Sequence, residues 1–494
     1  MNQTRRSFLK TSLAASAALS LPARIYAQAA GANNDIRIGV IGFNGRGQDH
    51  IGNYLKLKGA RIVALCDVDT AVLEKGVAQL GKKGQTVTPY QDIRKMLESK
   101  EVDVVSIATP NHWHSLGAIW AIQAGKDVYV EKPVSHNVWE GRQLVKAADV
   151  HQKIVQMGVQ SRSGTGLAAA LEWLKDAPLG KLQYARALCY KRRASIGKVS
   201  GEQAVPATID YDLWCGPAEK LPLTRAKLHY DWHWVWNTGN GDLGNQGIHQ
   251  MDIARRFLGE EALSPAVMAV GGRLGYVDDA ETPNSLVIFH DYKKAPLIFE
   301  VRGLPDKADG KEMDKYRGAS VGVIVQYEKG HILCPNYNDA IAFDADGNKI
   351  RNFATPAAAK AEGEPAAEPD AENHYANFLK AVRSRKTADL NGKIIDGHIS
   401  SALCHTGNIA YRLGKKTAPD AIKDKIKGSK DATDSFDRLA AHLAANNVDI
   451  STDQLTFGEY LKFDPTTEKF IGNAEADKLL TREYRAPFTV PEKV

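Results

Sequence analysis

Three things are scarce in this 494-residue sequence: cysteine, long apolar runs, and net charge outside its first segment. The five cysteines, Cys66, Cys189, Cys215, Cys334 and Cys404, are odd in number, scattered and never in C-x-x-C spacing. That excludes a disulfide framework and argues against a cysteine-built metal site. His398 and His405 lie seven apart on one helical face, but no third ligand accompanies them, so no metal is expected. The apolar run from Thr11 to Leu21 falls short of the ~20 residues a bilayer span needs. No later stretch approaches that length, so stable membrane insertion is not expected. The formal net charge is +6. Arg5, Arg6, Lys10 and Arg24 supply four of those charges within residues 1–29, where there is no acidic residue. The rest of the chain is nearly balanced and has no basic cluster, so no nucleic-acid partner is expected. Hydrophobic residues at 43% and charged residues at 25% exclude a wholly disordered or collagen-like chain.

What is present begins with an address. Thr4-Arg5-Arg6-Ser7-Phe8-Leu9-Lys10, the short apolar run and the small-residue site Ala27-Gln28-Ala29 together form a secretory signal over residues 1–29. The arginine pair followed by Phe-Leu-Lys resembles the twin-arginine export motif. That implies a periplasmic or otherwise exported protein, folded before export, with the twin-arginine machinery as a partner. Folding in the reducing cytoplasm agrees with the cysteine usage.

The mature chain opens on Ile36-Arg37-Ile38-Gly39-Val40-Ile41-Gly42, a short β-branched run that reads as a buried parallel strand. Phe43-Asn44-Gly45-Arg46-Gly47 follows, then a helical stretch from Gln48 to Lys58, then a second apolar strand ending in Asp67. This is the pattern of a dinucleotide-binding βαβ unit. Glycines let the backbone approach a pyrophosphate, and the helix N-terminus presents N–H groups to it. Asp67, 25 residues after Gly42, can accept a ribose hydroxyl and would repel a 2′-phosphate, which favours NAD over NADP. The motif reads G-F-N-G-R-G, with Asn44 at the second glycine position. Asn tolerates left-handed backbone better than most residues.

Further strands are predicted at Asp103–Thr109, Asp127–Glu131 and Ile154–Gly158, with a helix from Trp113 to Ala124 between the first two. The fold class is therefore α/β, with a parallel sheet wound on both faces over residues 30–160. Functional loops follow the C-terminal strand ends. There lie Thr109-Pro110-Asn111-His112-Trp113-His114 and Glu131-Lys132-Pro133. Pro-Asn before an apolar helix is also ordinary capping chemistry.

GVIG with GRG, Asp67, ATPNHWH (108–114), EKP (131–133) and GNQGIHQMD (244–252) resemble the Gfo/Idh/MocA oxidoreductases over most of residues 36–416. The resemblance implies an NAD(P)-binding Rossmann domain plus a C-terminal α/β domain with an open, mostly antiparallel sheet. It also implies sugar or cyclitol substrates, and a homo-oligomer paired through that sheet. Lys132 matches the family's catalytic lysine. His249 matches its catalytic histidine, and Asn245 stands at or near its usual aspartate, with the register around Gln246 open by one residue. The implied cofactor contacts are Gly42, Asn44, Gly45, Arg46, Gly47, Asp67, Thr109, Pro110, Asn111, His114, Glu131 and Lys132.

From about Gly180 the pattern changes to alternating strands, the first at Gln183–Tyr190. They fit an antiparallel sheet within a substrate and oligomerisation domain at 161–416. The stretch from Tyr211 to Trp236 is rich in aromatics, and indole faces suit the CH faces of sugar rings. Trp232, His233, Trp236, Asp242 and Arg162 are substrate-side candidates. Residues 353–372, rich in Ala, Pro and Glu, read as a flexible insertion. Residues 417–494 read as a C-terminal extension packed on the core. The leading expectation is a nicotinamide-dependent oxidoreductase acting on a hydroxyl or keto carbon of a sugar or glycoside, with NAD tightly bound. The alternative is a glycoside hydrolase that uses NAD transiently, with no net redox change.

Overall fold

The computed structural model describes residues 35–354, 374–451 and 455–494; the export signal and nearly all of the expected insertion at 353–372 lie outside these residues. The first domain alternates strand and helix in chain order: β1 (Ile36–Ile41), α1 (Arg46–Tyr54), β2 (Ala60–Cys66), α2 (Thr70–Gly81), β3 (Thr88–Tyr90), α3 (Ile93–Leu97), β4 (Val104–Ile107), α4 (Asn111–Gln123), β5 (Asp127–Glu131), α5 (Val138–Val150) and β6 (Val155–Gly158). All its strand pairs are parallel, in the order β3-β2-β1-β4-β5-β6. The order reverses direction between β1 and β4, which opens a crevice at their carboxyl ends. Strands β4, β5 and β6 are buried along their whole length, as expected of parallel strands covered on both faces.

The second domain contains α6 (Thr165–Trp173), β7 (Leu182–Tyr190), α7 (Tyr211–Cys215), α8 (Ile248–Leu258) and β8 (Ala266–Gly272). Strands β9 (Ser285–His290), β10 (Leu297–Arg302), β11 (Val321–Tyr327), β12 (Gly330–Cys334), β13 (Ile341–Asp344) and β14 (Lys349–Asn352) follow. Then come α9 (His374–Ser384), α10 (Ile394–Arg412), β15 (Lys415–Thr417), α11 (Pro419–Ile426), α12 (Lys430–Ala445), β16 (Leu455–Asp464), β17 (Lys469–Phe470) and α13 (Ala474–Lys478). The sheet runs β14-β13-β12-β11-β7-β10-β9-β8-β16-β15, with β17 beside β16. Only the β7–β10 pair is parallel.

Alternation along β7 assigns its two faces. Ala185, Ala187 and Cys189 join the core with α8 and α10. Tyr184, Leu188 and Tyr190 belong to clusters on the other side. On that other face the chain's own helices cover part of the sheet. Ile422, Ile426, Phe436, Leu439 and Leu443 of α11 and α12 pack on Met268, Val270, Val287, Phe289 and Ile298. Met313, Tyr316 and Ala319 lie against the β7–β11–β12 side of it. Part of that face is thus covered by the chain itself. Beneath α12, the buried Glu300 carboxylate accepts from Ser435 Oγ at 2.9 Å and Arg438 Nη1 at 2.8 Å, and Arg186 Nη1 reaches Asp434 at 2.7 Å.

Late parts of the chain also return to the Rossmann domain. Tyr375 and Phe378 of α9 pack with Ile38, Val40 and Tyr54, and Tyr375 stacks on Tyr129 at 4.8 Å. Phe488 and Val490 join the cluster around α4. No helix of the described residues is long and apolar enough to cross a membrane.

Candidate functional site

A cleft of about 410 Å³ opens at the carboxyl ends of β1, β2, β4 and β5. Gly42, Asn44, Gly45, Arg46, Asp67, Thr109, Pro110, Asn111, His114, Glu131 and Lys132 line it, and Trp232, His233 and Asn245 face them from the second domain. Gly47 lies beneath the lining.

The turn after β1 shows why its glycines stand where they do. Gly42 has φ +74°, and a Cβ there would lie 2.8 Å from the Thr109 backbone. A Cβ on Gly47 would lie 2.2 Å from the Gly42 carbonyl oxygen, so Gly47 lets α1 start against the strand. At Gly45, which caps α1, no atom lies within 4 Å of where a Cβ would stand. That leaves an open cradle at a helix N-terminus. Asn44 does not adopt a positive φ; the left-handed step is taken at Gly42, so the degenerate motif needs no special tolerance at this position.

Asp67 follows β2 directly and accepts the backbone N–H groups of Phe43 and Asp69 at 3.1 Å each. Burial raises its carboxyl above the ordinary value, and those two N–H groups oppose the rise. Across the cleft, Thr109 Oγ1 is buried and has no hydrogen-bond partner among the described residues. A phosphate cradle, a carboxylate at the ribose position and an orphaned hydroxyl together fit a dinucleotide such as NAD.

The other candidates divide into those that face the cleft freely and those already committed. Glu131 accepts from Arg46 Nε at 3.0 Å and faces His50 Nε2 at 3.1 Å. Burial opposes its ionisation, but His50, Arg46 and Lys132 outweigh it and hold the group well below the carboxylate range. His114 faces two carbonyl oxygens, Pro133 at 2.6 Å and Thr109 at 2.8 Å, and so clamps the two loops together. Asn111 donates to Asn240 at 3.0 Å. Lys132 donates to the main-chain carbonyl of Asn245 at 2.8 Å, and burial lowers its pKa.

Asn245 lies in a π-helical turn, Leu243–Gly247, that leads into α8. Such a turn accommodates one extra residue in the helix, and Gln246 lies within it. His249 stands on the first turn of α8 but is not part of the cleft lining. Its ring stacks on Tyr337 at 4.5 Å, and its buried Nδ1 has no partner. Burial, then the charge of Lys132, lowers its pKa to about 3.

Three substrate-side candidates do not reach the cleft. Arg162 makes a two-bond pair with Asp252, at 2.9 and 2.7 Å, and also meets Asp396. Asp242 is held by Arg193 at 2.8 and 2.6 Å. Trp236 packs near Tyr411 beneath Arg412.

The sequence reading missed that residues 205–234 form a strap over the adenosine side of the cleft. Thr70 N–H donates to the Thr208 carbonyl at 2.9 Å, and Asp210 N–H to the Val68 carbonyl at 3.1 Å. His229 meets Asp69 at 3.3 Å. Trp113 Nε1 donates to the Leu213 carbonyl at 3.0 Å, and His112 Nε2 lies 2.9 Å from that of Trp214. Ile209, Trp214, Leu223 and Leu228 give the strap its own apolar cluster, with Val68 packed against it. The aromatic density of 211–236 was the available signal. Several of those aromatics, Trp214, Tyr230 and Trp232 among them, line the cleft.

Residues 36–159 match the oxidoreductase family with an NAD-binding Rossmann fold, Gfo/Idh/MocA, and residues 187–294 match the C-terminal α/β domain of that family. Residues 2–22 match the signal sequence of the twin-arginine translocation pathway. Glycosyl hydrolase family 109 protein 2 of Shewanella sp. (strain ANA-3) is 31% identical over 205 residues, which are 37% of this chain and 45% of the relative. The chain thus spans less than half the length of that relative. Among solved structures, an oxidoreductase domain protein from Kribbella flavida superimposes with TM-score 0.56 at 19% identity, over 76% of this chain and 96% of the other. The WlbA dehydrogenase from Bordetella pertussis, solved with NADH and UDP-GlcNAcA, gives 0.54 at 20%, over 75% and 94%. By its two matched domains and its matched leader, the chain belongs to the Gfo/Idh/MocA oxidoreductases and carries a twin-arginine export signal.

Proposed function

We propose that the protein is a periplasmic NAD-dependent oxidoreductase of sugars or glycosides that keeps its cofactor through the catalytic cycle. The strap over the nucleotide cleft carries this reading. Free nicotinamide cofactor is scarce outside the cytoplasm, and a lid tied at both domains slows release. Export in the folded state would carry the loaded protein across.

Bound NAD supplies the hydride acceptor or donor. The chain's own groups do the rest. Asp67 accepts a ribose hydroxyl and repels a 2′-phosphate, which selects NAD. The N-terminus of α1, uncluttered at Gly45, receives the pyrophosphate. Lys132 has three N–H donors, of which Asn245 takes one, so the others can face a substrate oxygen. As the hydroxyl loses its proton, the ammonium stabilises the developing alkoxide. The lowered pKa of Lys132 eases transfer of a proton to and from Nζ.

The second reading is a glycoside hydrolase that uses NAD without net redox change, and the likeness to the Shewanella glycosyl hydrolase favours it. Both readings are tested by giving the purified protein a panel of methyl glycosides while following cofactor absorbance and product mass. An oxidised sugar with reduced cofactor selects the first reading. Cleaved glycoside without accumulated NADH selects the second. A protein that binds no NAD contradicts both.

A further inference from the structure

We propose that His233, fixed by a γ-turn at Tyr230, receives the hydrogen bond of a substrate hydroxyl in this cleft through an unprotonated Nε2. This rests on the site reading above and adds the missing acceptor to it. The backbone of Tyr230 has φ 66° and ψ −49°, and Asp231 N–H donates to the His229 carbonyl at 2.9 Å. That is the rare γ-turn of positive φ, a strained conformation that surrounding structure must enforce. Arg193 ties down the side chain of the turn residue. Arg193 donates to the Tyr230 hydroxyl at 3.1 Å while its other nitrogens hold Asp242.

The turn places the Tyr230 carbonyl against His233 Nδ1. A carbonyl only accepts, so Nδ1 carries the proton and the lone pair belongs to Nε2. The ring cannot easily turn over, because it lies on Trp232 at 3.6 Å and Tyr230 closes in at 4.7 Å. Nε2 has no hydrogen-bond partner among the described residues, and the ring lines the cleft with Lys132 and Asn245. Burial also pushes its pKa down to about 3, which keeps the ring neutral.

A hydroxyl is both donor and acceptor. Lys132 supplies a donor for its oxygen, and His233 supplies an acceptor for its hydrogen. His249, stacked on Tyr337, is not among the residues that line the cleft. The substrate class is therefore a sugar that presents a free hydroxyl between Lys132 and His233, and a deoxy analogue at that carbon should be rejected.

Two measurements on the full-length mature protein test this. The first is ¹⁵N NMR of histidine-labelled protein, with His233 assigned by the signals lost in His233→Gln. The expected result is a proton on Nδ1 and none on Nε2 from mildly acid to mildly basic pH. A proton on Nε2, or titration near neutrality, overturns the proposal, and this readout needs no substrate. The second compares variants on the methyl glycoside that wild type accepts best. His233→Asn keeps the bond to Tyr230 and presents nothing to the cleft, so kcat/KM should fall about a hundredfold. His233→Gln restores an oxygen near the Nε2 position, and about a tenth of the activity should remain. NAD content and melting temperature should match wild type in both. Wild-type kcat/KM in a NAD-loaded His233→Asn protein sinks this inference alone. Absence of NAD from wild type sinks the cofactor reading and leaves the tautomer result standing.

Discussion

The Lys132 ammonium donates to the Asn245 carbonyl at 2.8 Å, and this bond joins the end of β5 to the π-turn before α8. It sets the cation at the seam between the two domains, facing the cleft from the Rossmann side.

Replacing that nitrogen should stop turnover while the cofactor remains. Lys132→Ala is expected to lower kcat by roughly 10²–10⁴ with bound NAD unchanged. Lys132→Arg should not rescue it, because a guanidinium does not give up a proton. Turnover within tenfold of wild type in the alanine variant would remove Lys132 from the chemistry.

Asp67 should set cofactor choice. Asp67→Asn keeps an acceptor for one of the Phe43 and Asp69 N–H groups, which go to different carboxylate oxygens, and removes the charge that repels a 2′-phosphate. The ratio of NADP to NAD dissociation constants, measured by nucleotide fluorescence, should fall about tenfold or more. An unchanged ratio would place the discrimination elsewhere.

Several buried histidines should make stability fall with acidity well above the carboxylate range. Burial lowers His112, His249, His290 and His405 to about 3 and His374 to about 4. These groups are neutral when folded and take up a proton near pH 6.5 when unfolded. Their contribution is full above that pH and is lost as pH falls toward the folded values. Each adds about 1.4 kcal/mol per pH unit to the slope within that window. His290 is fully buried, with burial the main cause of its lowered pKa, so His290→Gln should flatten the loss between pH 6 and pH 4. Denaturant midpoints across that range give the slope, and a variant as steep as wild type would contradict the assignment.

The covering of the large sheet by α12 should depend on Arg438. Burial opposes ionisation of Glu300, but Arg438, Arg186 and Arg302 outweigh it and hold the group at about 2. Removing Arg438 leaves that carboxylate short of its principal partner. Arg438→Ala is expected to cost about 3 kcal/mol of unfolding free energy. It should also expose apolar sheet surface that promotes self-association, visible by light scattering. A change under half a kcal/mol with no association would show the network to be dispensable.

The Rossmann half was legible because its signals are local. Short apolar strands, a glycine turn and an acid at strand end all lie within one stretch of chain, and Gly42, Asp67 and Lys132 stand where that stretch implied. The second half was legible as strands, since alternation in β7 is also local. What covers those strands was not. Phe436 and Leu439 reach Val287 and Phe289 from about 150 residues away, and Tyr375 crosses from the far end of the chain to pack beside Tyr54. The same limit misplaced the charges. Arg162, Asp242 and Asp252 have the right chemistry for a sugar site, but only the fold shows that Arg162 pairs with Asp252, and Asp242 with Arg193. His233 was visible as a residue type, whereas its fixed tautomer depends on the backbone angle of Tyr230.

The central claim, a nicotinamide cofactor retained beneath a tied strap, is tested most directly by mass spectrometry. The protein would be purified from the periplasm without added nucleotide, passed through gel filtration and then denatured. The account predicts NAD or NADH released in stoichiometric amount, with NADP absent. Folded protein that releases no nicotinamide, and takes up none when NAD is supplied, would contradict it.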